Sequence, residues 1–234
     1  MLEFVGSYNG SGARSLSDVG YSTRTPNVPR LPIMRIGFFG GSFDPPHRGH
    51  LTVARAAAEA FALDRVLLAP TAHQPLKPTG ATASFADRLQ MVALLCQELP
   101  YLEPSALDAP LPGGQPNFTI DTLTRLRVEL SAQDSIFVIV GADAFLDLRR
   151  WRSPDALLAA AEWIVVTRPG FSLAQLDTLS LTPAQRERVH LLGGVAEEVS
   201  ATDVREGLLH GRDCASLIPA AVLGYIHRLH LYGT

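Results

Sequence analysis

Several absences narrow the chemistry of this sequence before any motif is read. Its two cysteines, Cys96 and Cys214, lie far apart and neither has a C-x-x-C partner, which removes zinc-ribbon and dithiol redox motifs. Two reduced thiols in a cytoplasmic protein are the plain reading. No apolar run approaches the ~18–20 residues that span a bilayer. The N-terminus lacks the basic-then-apolar order of a secretory signal. There is no G-x-G-x-x-G and no G-K-[ST], which disfavours a hydride-transfer Rossmann enzyme and a P-loop NTPase. Charged residues are 18% of the chain and the formal net charge is −3, so nothing draws it generally to nucleic acid or to an anionic membrane.

What is present is a globular composition. Hydrophobic residues are 47% of 234, enough for one large domain or two small ones with a core that needs no disulfide or metal staple. Met1 to Pro32 stands apart: it is rich in Ser, Gly, Asn and Arg and follows no period. We read residues 1–33 as a disordered N-terminal extension and residues 34–234 as one domain, with Met34 as the natural start.

From Met34 onward, strand and helix patterns alternate. Strands are expected at Arg35–Phe39, Arg65–Ala69, Ser135–Val140, Trp163–Thr167 and Val189–Leu192, where short apolar, β-branched runs end at turn residues. Helices are expected at Leu51–Phe61, Ser84–Leu99, Thr119–Leu130, Pro154–Ala161, Thr202–His210 and Pro219–Leu229. Ser84 caps the second, with Asp87 three residues on. The alternation predicts an α/β fold: a Rossmann-like, doubly wound parallel sheet with helices on both faces and a small C-terminal helical part.

Ligands of such sheets bind beyond the carboxyl ends of the strands. The first strand ends in Gly40-Gly41-Ser42-Phe43-Asp44-Pro45-Pro46-His47-Arg48-Gly49-His50. Gly40 and Gly41 are expected to allow a sharp turn and close ligand approach. Pro45 and Pro46 stiffen the loop. His47 and His50 flank Gly49 at a helix start, where a phosphate would meet free N–H groups, a favourable dipole and two imidazoles. Two histidines without nearby acids or thiols make a weak metal site.

That loop resembles the opening of the nucleotidylyltransferase superfamily, marked by H-x-G-H, and the full string resembles the bacterial nicotinate-nucleotide adenylyltransferases. Four more segments match in order: Pro70 to Lys77, Asn117 to Leu123, Val140-Gly141-Ala142-Asp143 with Trp151, and Val199 to Arg205. The end, from Ile218-Pro219 through Tyr225-Ile226 to Leu231-Tyr232, is also similar. Phe118 and Arg152 depart from the family pattern, which often has Tyr at the first and a neutral or aromatic residue at the second.

The resemblance implies a reaction of ATP with nicotinate mononucleotide. It assigns His47, His50 and Arg205 to catalysis, and Gly40, Gly41, Ser42, Phe43, Gly49, Asp143, Ser200 and Thr202 to ATP and its phosphates. Lys77, Thr119 and Trp151 fall to the nicotinate nucleotide. Mg²⁺ is expected with ATP, since no carboxylate cage is visible. The acceptor phosphate is already ionised at pH 7, so positioning and charge stabilisation are the protein's tasks. His73, His190, His210, His227 and His230 are read as surface or packing residues. A homo-oligomer is compatible with the sequence. A phosphopantetheine adenylyltransferase and a nucleotide-binding sensor remain as the other readings.

Overall fold

Six parallel strands in the order β3-β2-β1-β4-β5-β6 make one sheet: β1 Arg35–Gly41, β2 Arg65–Pro70, β3 Leu102–Pro104, β4 Ser135–Gly141, β5 Glu162–Val166 and β6 Val189–Leu192. The computed structural model describes residues 33–75, 80–167, 173–195 and 199–234. Residues 1–32 of the expected N-terminal extension and Lys77 lie outside the described residues, and Ile33–Thr234 is one compact unit.

Period-two alternation along the strands sorts the core onto two faces. Val66 and Leu68 of β2, with Phe137 and Ile139 of β4, face helices α1 Arg48–Phe61 and α2 Phe85–Cys96. Ala54, Ala57 and Ala58 of α1 and Met91, Val92 and Leu95 of α2 fill that layer. Two C-terminal helices, later numbered α7 Ala201–Leu209 and α8 Ala220–Arg228, close the same face through Val204, Leu208, Val222 and Ile226. The intervening residues Leu67, Ala69, Ile136, Val138 and Val140 face α3 Thr119–Glu129, α4 Ala142–Leu146 and α5 Pro154–Ala160. A short α6, Pro183–Glu187, precedes β6. The doubly wound arrangement expected from the alternation is therefore the observed one.

Gly37 is the β1 glycine that packing requires. A Cβ there would lie 3.0 Å from Leu63, 3.1 Å from Val66 and 3.3 Å from Ile139. Gly40 and Gly41 correct the sequence reading: both continue β1 as extended strand, pairing with Ala69 and Pro70. The turn comes two residues later, where Phe43 takes φ 47°. Three short elements, β3, α4 and α6, were not expected.

Strand order reverses between β1 and β4, since β2 and β3 lie to one side and β5 and β6 to the other. The carboxyl ends of β1 and β4 thus open a crevice at the switch point.

Candidate active site

Beyond β1, the chain folds into a loop that a buried polar knot holds rigid. Asp44, 4% exposed, accepts hydrogen bonds from the N–H groups of Thr82 (2.6 Å) and Ala83 (3.0 Å) and from the Tyr232 hydroxyl (2.8 Å). Arg88, 2% exposed, donates to the carbonyls of Ser42 (2.5 Å) and Ala83 (3.2 Å). Burial pushes the Arg88 pKa down, and Asp44 and Tyr232 oppose that shift; an arginine remains a cation there. Burial and the Asp44 carboxylate push the Tyr232 phenol upward, so it keeps its proton and acts as donor.

Arg205, on α7, reaches this loop. Its Nη1 donates to the Asp44 carbonyl at 2.6 Å and its Nη2 to the Thr202 hydroxyl at 3.2 Å. Ser42, Asp44, Thr82, Thr202 and Arg205 line a cavity of about 510 Å³. Its donors and guanidinium suit an anion such as phosphate.

His47 and His50 stand at the start of α1, with ring centroids 3.9 Å apart. The His47 N–H donates to His50 Nδ1 at 3.1 Å, which fixes the tautomer: the proton sits on Nε2. Burial, then the nearby His47, lowers the His50 pKa well below its ordinary value. His50 is therefore a neutral donor at pH 7. Neither imidazole lines the two cavities described in this section.

A second cavity, of about 460 Å³, opens beyond β4. Trp151 forms one wall and meets Trp163 edge-on at 6.2 Å. Phe118 and Thr119 bring the N-terminus of α3 to it, and Asp143 of α4 stands at its rim. The Arg152 guanidinium lies 4.7 Å over the Phe118 ring and 3.5 Å from the Asp121 carboxylate. Asp108 forms part of the cavity and is buried; Thr122 and Thr71 (3.2 Å) donate to it, and Arg125 lies at 3.9 Å. Desolvation raises its pKa, against those partners. Buried Asn117 staples the loop after β2, accepting from the His73 N–H at 3.1 Å and donating to Ala109 O at 2.9 Å.

The two cavities share a wall: Thr71 and Gln74 line both.

The structure thus brings Ser42, Thr202 and Arg205 together in one cavity and Thr119, Trp151 and Asp143 together in the other. Asp143, expected on the ATP side, lines the same cavity as Trp151, onto which α4 turns. The Phe43 side chain is fully buried and packs edge-on to Phe39 at 5.6 Å. Ser200 acts as the N-cap of α7, accepting from the Asp203 N–H at 3.1 Å and donating to its carboxylate at 2.6 Å. Gly49 is buried in the first turn of α1. Asp44, Arg88 and Tyr232 were missed because they meet only in three dimensions; the FDPP and LY motifs carried the two ends of that contact without joining them. Thr71 and Gln74 sat inside a quoted motif but were passed over beside Lys77.

Among the described residues no group of three or more His, Cys, Asp or Glu side chains is placed to hold a metal ion. No described helix is long and apolar enough to cross a membrane.

The cytidylyltransferase-like family pattern matches residues 38–207. A protein of Roseiflexus sp. (strain RS-1), named "Probable nicotinate-nucleotide adenylyltransferase", is 38% identical over 197 residues, covering 84% of this chain and 97% of its own length. One of the same name from Gloeobacter violaceus is 38% identical over 200 residues, covering 85% and 96%. The solved structure of Plasmodium falciparum nicotinic acid mononucleotide adenylyltransferase complexed with NaAD shares the fold, with TM-score 0.66 at 17% identity over 85% of this chain and 97% of that one. The chain belongs to the cytidylyltransferase-like family and, within it, to the nicotinate-nucleotide adenylyltransferases.

Proposed function

We propose that this chain joins ATP to nicotinate mononucleotide at the wall its two cavities share. It is an adenylyltransferase of NAD biosynthesis, releasing nicotinate adenine dinucleotide and pyrophosphate. The observation that carries this reading is Thr71 and Gln74 standing in both cavities. Joining two nucleotides requires the acceptor phosphate and the α-phosphorus of ATP to meet at one point, with a separate pocket for each remainder. The names of the curated relatives and the dinucleotide in the Plasmodium structure support the choice of substrates.

In this reading the cavity of Ser42, Thr202 and Arg205 takes the triphosphate. The acceptor's phosphate oxygen attacks the α-phosphorus in line, and the bond to the β-phosphate oxygen breaks. Arg205 and Thr202 hold the leaving pyrophosphate; His50 lines neither cavity and is given its role, donation from Nε2–H to charge developing on phosphates beside the start of α1, by the H-x-G-H resemblance. The acceptor is ionised already, so the enzyme orients and stabilises rather than removing a proton. Trp151 stacks on the pyridine ring. Its carboxylate faces Thr119 and the free N–H groups opening α3, and Asp143 reaches ribose hydroxyls. Lys77 is assigned to the substrate phosphate by the resemblance alone.

Mg²⁺ enters as part of the ATP substrate. The Asp44 carboxylate already has three donors, so the phosphate oxygens and water are the ion's natural ligands. Both cysteines are free and buried, which supports a reducing compartment, the cytoplasm.

The test is product identification. Chain, ATP, Mg²⁺ and nicotinate mononucleotide should yield the dinucleotide by mass with equimolar pyrophosphate. Turnover with phosphopantetheine instead, or ATP binding without any pyrophosphate, would overturn the reading.

A further inference from the structure

The C-terminal Leu231-Tyr232 motif has no part in the reaction as described, and Tyr232 lines neither cavity. Yet its hydroxyl crosses 188 residues of sequence to donate to Asp44 Oδ1. Asp44 is where the walls of the phosphate cavity meet. Its carboxylate holds the N–H groups of Thr82 and Ala83, and its carbonyl receives Arg205 Nη1. The C-terminal segment touches the loop a second time, where the Arg48 N–H opening α1 donates to Leu217 O at 2.8 Å.

Backbone geometry marks both ends of the bond. Phe43, just before Asp44, has φ 47°, and Tyr232 has φ 59°. Side-chain-bearing residues rarely adopt that region, and holding them there costs free energy that the surrounding contacts must offset. A phenylalanine would fill the same space as Tyr232. What tyrosine adds is a buried hydroxyl aimed at a carboxylate, a charge-assisted bond.

We propose that Tyr232 is a positioning residue for the phosphate end of the site: its hydroxyl fixes Asp44 so that the Asp44 carbonyl aims the Arg205 guanidinium into the cavity. This rests on Arg205 holding the leaving pyrophosphate. It makes the last turn of the chain part of the catalytic apparatus, through a contact that no local motif contains.

A matched control exists. Tyr225 also donates to a carboxylate, Asp87 Oδ1 at 2.9 Å, and lines neither cavity. Full-length Tyr232→Phe, Tyr225→Phe and Arg205→Ala are compared with the wild type by steady-state pyrophosphate release and thermal melting. Tyr232→Phe should lower kcat/KM for ATP about tenfold, the size one charge-assisted hydrogen bond controls. Its KM for nicotinate mononucleotide should stay within about twofold, and Tyr225→Phe should leave both substrates' constants at wild-type values. Equal kinetic losses in the two tyrosine variants, or a lowered Tm with wild-type ATP constants in Tyr232→Phe, would overturn the proposal. Arg205→Ala separates the two levels. Wild-type turnover there removes the reading of Arg205 and this proposal with it; a large loss there beside an unaffected Tyr232→Phe removes this proposal alone. If Tyr232→Phe is not recovered folded, Asp44→Asn is held to the same split between the two substrates.

Discussion

At the proposed phosphate end, Ser42, Asp44 and Arg205 are fixed by backbone carbonyls and a carboxylate that is nearly sealed from water. At the proposed pyridine end, Arg152 lies over the Phe118 ring close to the surface, and Trp151 meets Trp163 edge-on. The first end is built from charge-assisted bonds among buried and half-buried groups, where removing a partner of the buried Asp44 strands a polar atom. The second is built from ring contacts and an exposed ion pair, with side-chain exposures of 56% for Arg152 and 46% for Asp121. Charge that develops in a transition state must be met by groups already in place. A flat ring tolerates small displacements of the platform beneath it. The rate of the reaction should therefore depend on the first end, and the choice of acceptor on the second.

The largest effect is expected from His50→Ala. It should lower kcat about 10²–10³-fold, the usual cost of one well-placed donor, with the fold retained by circular dichroism. Near-normal turnover would show that the α1 imidazoles belong to the scaffold. Trp151→Ala should act on the other end, raising KM for nicotinate mononucleotide about tenfold through the lost ring contact, with KM for ATP unmoved. Arg152→Ala should have a smaller effect, since exposed cations are screened: a fall of about two- to fivefold in preference for nicotinate over nicotinamide mononucleotide. An unchanged ratio would assign Arg152 to Phe118 and Asp121 alone.

The smallest effect is on stability against pH. His50 is held neutral in the fold, with its pKa lowered by burial, whereas an unfolded histidine titrates near about 6.5. Below that pH the unfolded chain binds the extra proton, so stability falls on acidification, at up to about 1.4 kcal/mol per pH unit from this residue. Melting curves between pH 7.5 and 5.5 should show a shallower decline in His50→Gln than in the wild type. An identical slope would mean that His50 ionises freely in the fold.

The two regions also differed in how far they could be read from the sequence. The loop from Gly40 to His50 is continuous, so its glycines, prolines and imidazoles could be taken together. The apolar run Val66, Leu67, Leu68, Ala69 marked β2 as a strand, and the structure buries it on both faces. Its details were less legible. Gly40 and Gly41 look like a turn, yet β1 uses them as strand and leaves the turn to Phe43. β3 has three residues and α4 five, too few for a period to emerge. The contact of Asp44 with Tyr232 depends on the whole intervening fold. The pyridine end collects Thr71, Asp108, Phe118, Asp143 and Trp151 from separate segments. The place of Asp143 after β4 was readable, but its company with Trp151 in one cavity was not, since that depends on the face onto which α4 turns.

The most direct test of this division is to measure kcat and both KM values for Arg205→Ala and Trp151→Ala side by side, with nicotinate mononucleotide and then nicotinamide mononucleotide as acceptor. The account predicts that Arg205→Ala loses kcat with either acceptor and keeps the wild-type preference. Trp151→Ala should keep most of kcat, with its defect in KM for the acceptor. The same pattern of loss in both variants, or a changed preference in Arg205→Ala, would contradict it.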